Sequence, residues 1–258
     1  ALKNHPKVTK AFILEKQYFN LYKTVKSFGK VDVFFSFRGS FRSKFFKFFI
    51  SSPKKYQFNK AKFIQGHQVE KYNNFVNNAL NIKVIPGQLK LKPQKIVKNS
   101  KNKILGINPG ATYGSAKRWY PEKFADVVSD LSNNYDIVIL GGENEIEIAL
   151  DIEKYLIEKG VTNFQNLSGK TSIDELFMQI ANLDLFITGD SGPMHIAAAY
   201  QVPTVAIFGP TNFIETSQWM NEKSAIVKKN LECQPCMRRV CPLKHHKCMK
   251  LITVSDVL

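Results

Sequence analysis

Acidic residues are almost missing from the first 100 positions of this 258-residue chain: only Glu15, Asp32 and Glu70 stand against 21 lysines and arginines. The rest of the chain carries 18 acids against 16 basic residues, so the net charge of +16 comes from the first segment alone. A general lysine-rich habit would raise lysine everywhere, and the near-neutral second segment shows no such rise. A field this lopsided draws an anionic partner to the first segment: nucleic acid, an acidic membrane surface or a phosphorylated glycolipid. Cysteine is absent up to position 233. All four (Cys233, Cys236, Cys241, Cys248) fall in one short stretch, which excludes a disulfide framework spanning the chain. No run approaches the roughly 20 apolar residues of a membrane span. Ala1 to Lys10 is polar and basic with no apolar core behind it, unlike a secretory signal. Hydrophobic residues still make up 44% of the chain, enough for a packed core. These limits lead us to expect a soluble, cytoplasmic protein with no membrane span.

What is present is easiest to read in the second segment. Lys103 to Ile107 is a short apolar run closed by Asn108-Pro-Gly, a buried strand and a turn. Pro121 opens a helix to about Asn133. A strand at Asp136 to Leu140 ends on Gly141-Gly142, and a helix follows from Glu143 to Lys159 with acids in its first turn. Ser172 to Asn182 reads as a helix with Ser172 and Glu175 in capping-box spacing. Leu185 to Thr188 is a strand, Gly192 to Tyr200 a helix and Val205 to Phe208 a strand. Continuous apolar strands alternating with helices predict a parallel, doubly wound α/β sheet. The first segment is less regular. Phe12 to Glu15 and Val31 to Phe37 read as strands, Phe41 to Ile50 and Gln68 to Leu80 as helices. Ile85 to Asn102, rich in Lys, Pro and Gln, reads as a linker. The expected division is a partial N-terminal domain at 1–90, a linker at 91–102 and a C-terminal domain at 103–258.

Three loops carry candidate chemistry. In Phe186-Ile-Thr-Gly-Asp-Ser-Gly-Pro-Met-His195 a strand turns into a helix. Gly189 and Gly192 let the backbone approach a ligand, and the free N–H groups of the new helix suit a phosphate. A carboxylate there would repel that phosphate, so Asp190 reads as an acceptor for sugar hydroxyls; a plain helix cap at Asp190 or Ser191 is the competing reading. In Asn108 to Pro121, Thr112 and Ser115 offer donors. Lys117 adds a cation able to stabilise charge on a departing diphosphate. A solvated surface loop is the alternative. Past Gly141-Gly142, Glu143 stands where a ribose diol is commonly held, or serves only its helix dipole.

The runs Asn108-Pro-Gly-Ala…Ala116-Lys-Arg-Trp-Tyr-Pro121, Gly189-Asp-Ser-Gly-Pro-Met-His195 and Phe208-Gly-Pro-Thr211 together resemble the lipopolysaccharide heptosyltransferases, glycosyltransferase family 9. Cys233-Gln-Pro-Cys236…Arg239-Val-Cys-Pro…His245-His-Lys-Cys-Met249 is similar to the C-terminal pattern of the heptosyltransferase II subgroup. The likeness covers 101–258 and thins before it to matches such as His67-Gln-Val-Glu-Lys-Tyr72. It implies a GT-B fold, two Rossmann-like domains facing a cleft, the N-terminal one incomplete here. It also implies an inverting transfer of heptose from ADP-L-glycero-D-manno-heptose to the phosphorylated lipid A–Kdo inner core, without a metal or other cofactor. By motif, Lys117 would assist diphosphate departure, Thr112 would contact phosphate, Glu143 the ribose and Asp190 the heptose hydroxyls. His195 and Gly192, with Ser191 and Pro193 around them, would complete the phosphate end. Family members begin with a strand and a Gly-Asp loop that supplies the base for the acceptor hydroxyl. Nothing in residues 1–10 matches it, so an N-terminally truncated chain is expected, and whether it turns over alone stays open.

Arg38, Arg42 and Ser43 are candidates for gripping the acceptor's anionic groups; a basic helix face is the equal alternative. Phe45, Phe46, Phe48 and Phe49 read as core or interface residues rather than a nucleic-acid platform. The C-x2-C-x4-C-x6-C cluster with His245 and His246 leaves metal, a local disulfide or loop-ordering thiols open. A monomer at the inner face of the inner membrane, with no nucleic acid bound, is the expected setting. The competing functions are another nucleotide-sugar transferase of the same fold, or a non-catalytic basic module that binds polyanions.

Overall fold

A computed structural model describes residues 5, 7–14, 17–91, 102–110 and 113–258. They fall into two compact units, one within 2–86 and one within 87–258.

The first unit holds helix α1 (Tyr18–Ser27), strand β1 (Val33–Ser36), helix α2 (Phe41–Phe49), strand β2 (Lys54–Gln57) and helix α3 (Gln68–Leu80). β1 and β2 pair in parallel, Val33 opposite Lys54 through Ser36 opposite Gln57. α1 buries Leu21 and Val25, one turn apart on one face. The N-terminus of α3 is closed by His67, whose N–H donates to Glu70 Oε2 at 2.7 Å. Around Phe75 lies an aromatic cluster, with Phe35, Phe37, Phe58 and Phe63 within 6.1 Å between centroids. One expectation needs correction. Residues 12–14 form no strand: they are exposed, have no ladder partner among the described residues, and Phe12 packs edge-on against Phe28 instead; Glu15 lies outside the described residues. Of the α2 phenylalanines expected at a core or interface, Phe45, Phe46 and Phe49 are half-buried against Tyr18, Phe34 and Tyr22, while Phe48 is 76% exposed.

The second unit carries six parallel strands: β3 (Lys103–Asn108), β4 (Tyr135–Ile139), β5 (Phe164–Asn166), β6 (Leu185–Gly189), β7 (Thr204–Phe208) and β8 (Ser224–Lys228). Their order across the sheet is β5-β4-β3-β6-β7-β8. Helices α4 (Pro121–Leu131), α5 (Ile146–Glu158), α6 (Ile173–Ala181) and α7 (Gly192–Tyr200) connect them. Leu105, Ile107, Ile137 and Ile139 pack with Phe124, Val128, Ile152 and Leu156 of α4 and α5. On the other face Val138, Leu140 and Phe186 meet Ile180 and Ala197 of α6 and α7. Burial on both faces explains the continuous apolar strands, each such Ile, Leu or Phe stabilising the fold by about 1.5–3 kcal/mol. The expected α/β class with parallel, Rossmann-like sheets is what the chain adopts. Strand order reverses between β3 and β6, and at such a point the carboxyl ends of the strands leave a crevice for a ligand.

Candidate functional site

From the carboxyl ends of β3 and β6 the chain leaves toward opposite edges of the sheet. After β3 the chain passes through the loop that carries Lys117; after β6 it turns at Asp190 into α7. The two loops meet: Lys117 Nζ lies 2.8 Å from Asp190 Oδ2, with the side chains only 11% and 8% exposed. The backbones are close as well: a Cβ at Gly189 would be in van der Waals contact with the Lys117 carbonyl oxygen, at 3.6 Å. A pair this sheltered is held tightly, because losing either partner would strand a buried charge at a cost of about 3–5 kcal/mol.

Lys117 and Asp190 line a cavity of about 420 Å³ with Asn108, Tyr113, Gly142, Glu145, Leu176, Ser191, Gly192, Pro193 and His195. The floor is a hydrogen-bond network. Asn108 Nδ2 donates to the Leu140 carbonyl at 2.9 Å, Ser191 Oγ donates to Asn108 Oδ1 at 3.3 Å, and the Thr188 and Ser191 hydroxyls lie 3.2 Å apart. Ser191 is the N-cap residue of α7, yet its side chain makes no capping bond. The hydroxyl is committed to the floor, and Gly192, Pro193 and His195 of the first turn of α7 line the cavity. That end of the dipole favours an anion.

Not every residue singled out in the sequence is at this cavity. Glu143 starts a short turn and is exposed. The acid at the cavity is Glu145, 8% exposed, with Oε2 accepting the Gly142 N–H at 2.7 Å. The spacing of Gly142 and Glu145, a cap and its third residue, was the readable signal for it. Glu145 fills the space beside Gly110, where any Cβ would collide with its carboxylate. Ser115 is exposed and outside the lining, and Thr112 lies outside the described residues. Tyr113 was missed altogether: its ring has Lys117 Nζ 5.2 Å and the Arg239 guanidinium 5.3 Å from its centroid.

In the first unit Arg38 and Arg42 are exposed. Ser43 is already engaged: its hydroxyl donates at 2.6 Å to the Arg38 carbonyl and receives Gln57 Nε2 at 3.1 Å. Ser43 therefore shapes the loop that displays the arginines. Glu70 is spent on its helix cap.

The four cysteines are free thiols, and the described residues contain no His, Cys, Asp or Glu group arranged to hold a metal. Burial, then the neighbouring Cys236, Cys241 and Cys233, push the Cys248 thiol up to about 11. The stretch docks on the Lys117 loop and on α4. Trp119 Nε1 donates to the Ile252 carbonyl at 3.3 Å, and Lys123 Nζ donates to the Lys250 carbonyl at 2.6 Å. Among the described residues no helix is long and apolar enough to cross a membrane.

Comparison with known proteins adds three findings. The model of glycosyltransferase family 9 (heptosyltransferase) matches residues 21–247. Lipooligosaccharide heptosyltransferase 2 of Campylobacter jejuni is 47% identical over 240 residues, covering 90% of this chain and 75% of that protein. Among solved structures, a family 9 glycosyltransferase of Veillonella parvula superposes with a TM-score of 0.84 at 18% identity, over 99% of this chain and 82% of its own. The ADP-heptose lipopolysaccharide heptosyltransferase II of Escherichia coli gives 0.78 at 22% identity, over 98% and 82%. At those identities the two structures speak for the fold.

Proposed function

This chain belongs to glycosyltransferase family 9, the heptosyltransferases, and from that premise we propose that the cavity between the β3 and β6 loops receives the diphosphate of ADP-L-glycero-D-manno-heptose. The protein is a heptosyltransferase of lipopolysaccharide core assembly; the donor, the stereochemical course and the roles of single residues are our reading. The observation that carries it is the meeting of Lys117 with Asp190 at a cavity lined by the first turn of α7.

The reaction is one displacement. The acceptor hydroxyl attacks the anomeric carbon and releases its proton while the bond to the β-phosphate oxygen breaks, the electron pair leaves with ADP, and configuration inverts. Negative charge builds on the departing diphosphate, where Lys117 and the leading N–H groups of α7 oppose it at no cost in reorganisation. Asp190, paired with Lys117 at 2.8 Å, turns to the heptose hydroxyls as phosphate takes over the ammonium. Ser191, Gly192, Pro193 and His195 frame the phosphate end. Glu145, rather than Glu143, holds the ribose diol, because it is the acid at the cavity wall. The first unit attracts the phosphorylated, lipid-anchored acceptor through Arg38 and Arg42. The same basic surface, with Phe41 and Phe48 exposed on α2, supports peripheral contact with an acidic membrane.

Calorimetric titration tests the donor site. ADP binds and an RNA oligomer does not compete for the same site. Lys117→Ala weakens ADP by about tenfold or more, the worth of one charge-assisted contact. Absence of heat with ADP at high protein concentration would sink the reading.

A further inference from the structure

The cysteine- and histidine-bearing stretch has no part in the donor site as described, yet it grips the residue before Lys117 at both of its backbone groups. The Ala116 N–H donates to the Arg239 carbonyl at 3.0 Å, and the Ala116 carbonyl lies 2.9 Å from His246 Nε2. A carbonyl oxygen only accepts, so Nε2 carries a proton. His246 Nδ1 lies 3.1 Å from the Tyr120 hydroxyl. A neutral ring accepts there and a charged one donates, so the bond to Ala116 persists in either state. Nearby, the Tyr113 hydroxyl donates to the Met237 carbonyl at 2.7 Å. At Gly114 any Cβ would run into the Arg239 backbone.

His246 is itself firmly seated. Its backbone is left-handed (φ 48°, ψ 28°), its N–H lies 3.4 Å from Cys241 Sγ, and its carbonyl receives the N–H groups of Met249 and Lys250. Ala116 is 2% exposed, so its carbonyl has no water to replace the imidazole. The ring thus fixes where the chain emerges one residue before the Lys117 side chain.

We propose that His246 is a positioning residue for Lys117, setting the ammonium against the diphosphate through the Ala116 carbonyl, and that the cysteine-bearing stretch is the frame that holds it. This rests on the donor-site reading. A misplacement of about 1 Å in a charged contact is enough to lose much of its value.

The test uses ADP calorimetry and thermal unfolding on the full chain with His246→Gln, His246→Asn, Lys117→Ala and the two double variants. The Gln amide nitrogen reaches the place of Nε2 and keeps the Ala116 bond; the Asn amide reaches only the place of Nδ1 and loses it. His246→Asn weakens ADP about fivefold or more while His246→Gln stays within about twofold, and on the Lys117→Ala background the two bind alike. Equal affinities for the Asn and Gln single variants, or an Asn loss that persists without Lys117, overturn the proposal. Unchanged ADP binding by Lys117→Ala alone would instead overturn the donor-site reading and remove the lysine that His246 serves.

Discussion

The two units of this chain handle charge in opposite ways. The near-neutral second unit spends its acids on defined tasks: Asp190 against Lys117 at 2.8 Å, Glu145 on the Gly142 N–H, Glu175 on the Ser172 N–H, Asp256 on Lys229. Asp190 and Glu145, the two at the cavity, stand in the loops that follow β6 and β4, strands buried on both faces. The first unit has lysines and arginines in excess and few partners for them, mounted on helices such as α2 that bury no residue fully. Its charge acts as a field, felt over roughly the Debye length of about 8 Å at physiological salt and indifferent to exact geometry. A site that must stabilise a departing diphosphate needs the first kind of construction. A surface that gathers a bulky anionic acceptor works with the second.

If that contrast is right, small geometric changes in the second unit cost more than whole charges in the first. Gly114→Ala forces the Lys117 loop off the Arg239 backbone without touching any charge. ADP affinity should fall about as far as in Lys117→Ala, tenfold or more, read by calorimetry, because the charged contact is lost when the loop moves. Retention of wild-type affinity would show that the loop tolerates movement. Removing two charges with Arg38→Ala and Arg42→Ala should leave ADP affinity within about twofold. It should weaken co-sedimentation with anionic phospholipid vesicles by about 30-fold, at about 1 kcal/mol for each of the two charges near a surface. The vesicle effect should vanish in high salt while ADP binding by the parent chain changes little. A pair of arginine variants that lost ADP binding and kept vesicle binding would erase the distinction between the units.

The sequence made the second unit legible because both of its codes were strong there. Buried parallel strands are continuous apolar runs, and the loops that follow them carry Gly, Pro and capping residues. β3, β6, α7 and the junction at Asp190 all fell where those patterns put them. The short edge strands were missed for a physical reason: Phe164–Asn166 is three residues long, and Ser224–Lys228 is half-exposed and polar at both ends. Glu143 and Glu145 both follow the glycine pair, and only the turn geometry decides which reaches the cavity. The contact of His246 with Ala116 spans 130 positions, and no local pattern announces it. The first unit was harder because aromatic residues crowd helix and strand alike. Phe12 to Leu14 has the composition of a strand without a described neighbour to pair with.

A crystal structure of the chain with ADP bound is the most direct test of the central claim. The account predicts the β-phosphate between Lys117 and the N-terminus of α7, with the Lys117–Asp190 pair opened or bridged and the ribose against Glu145. ADP seated elsewhere on the sheet, or a cavity between these loops left empty at saturating nucleotide, would contradict it.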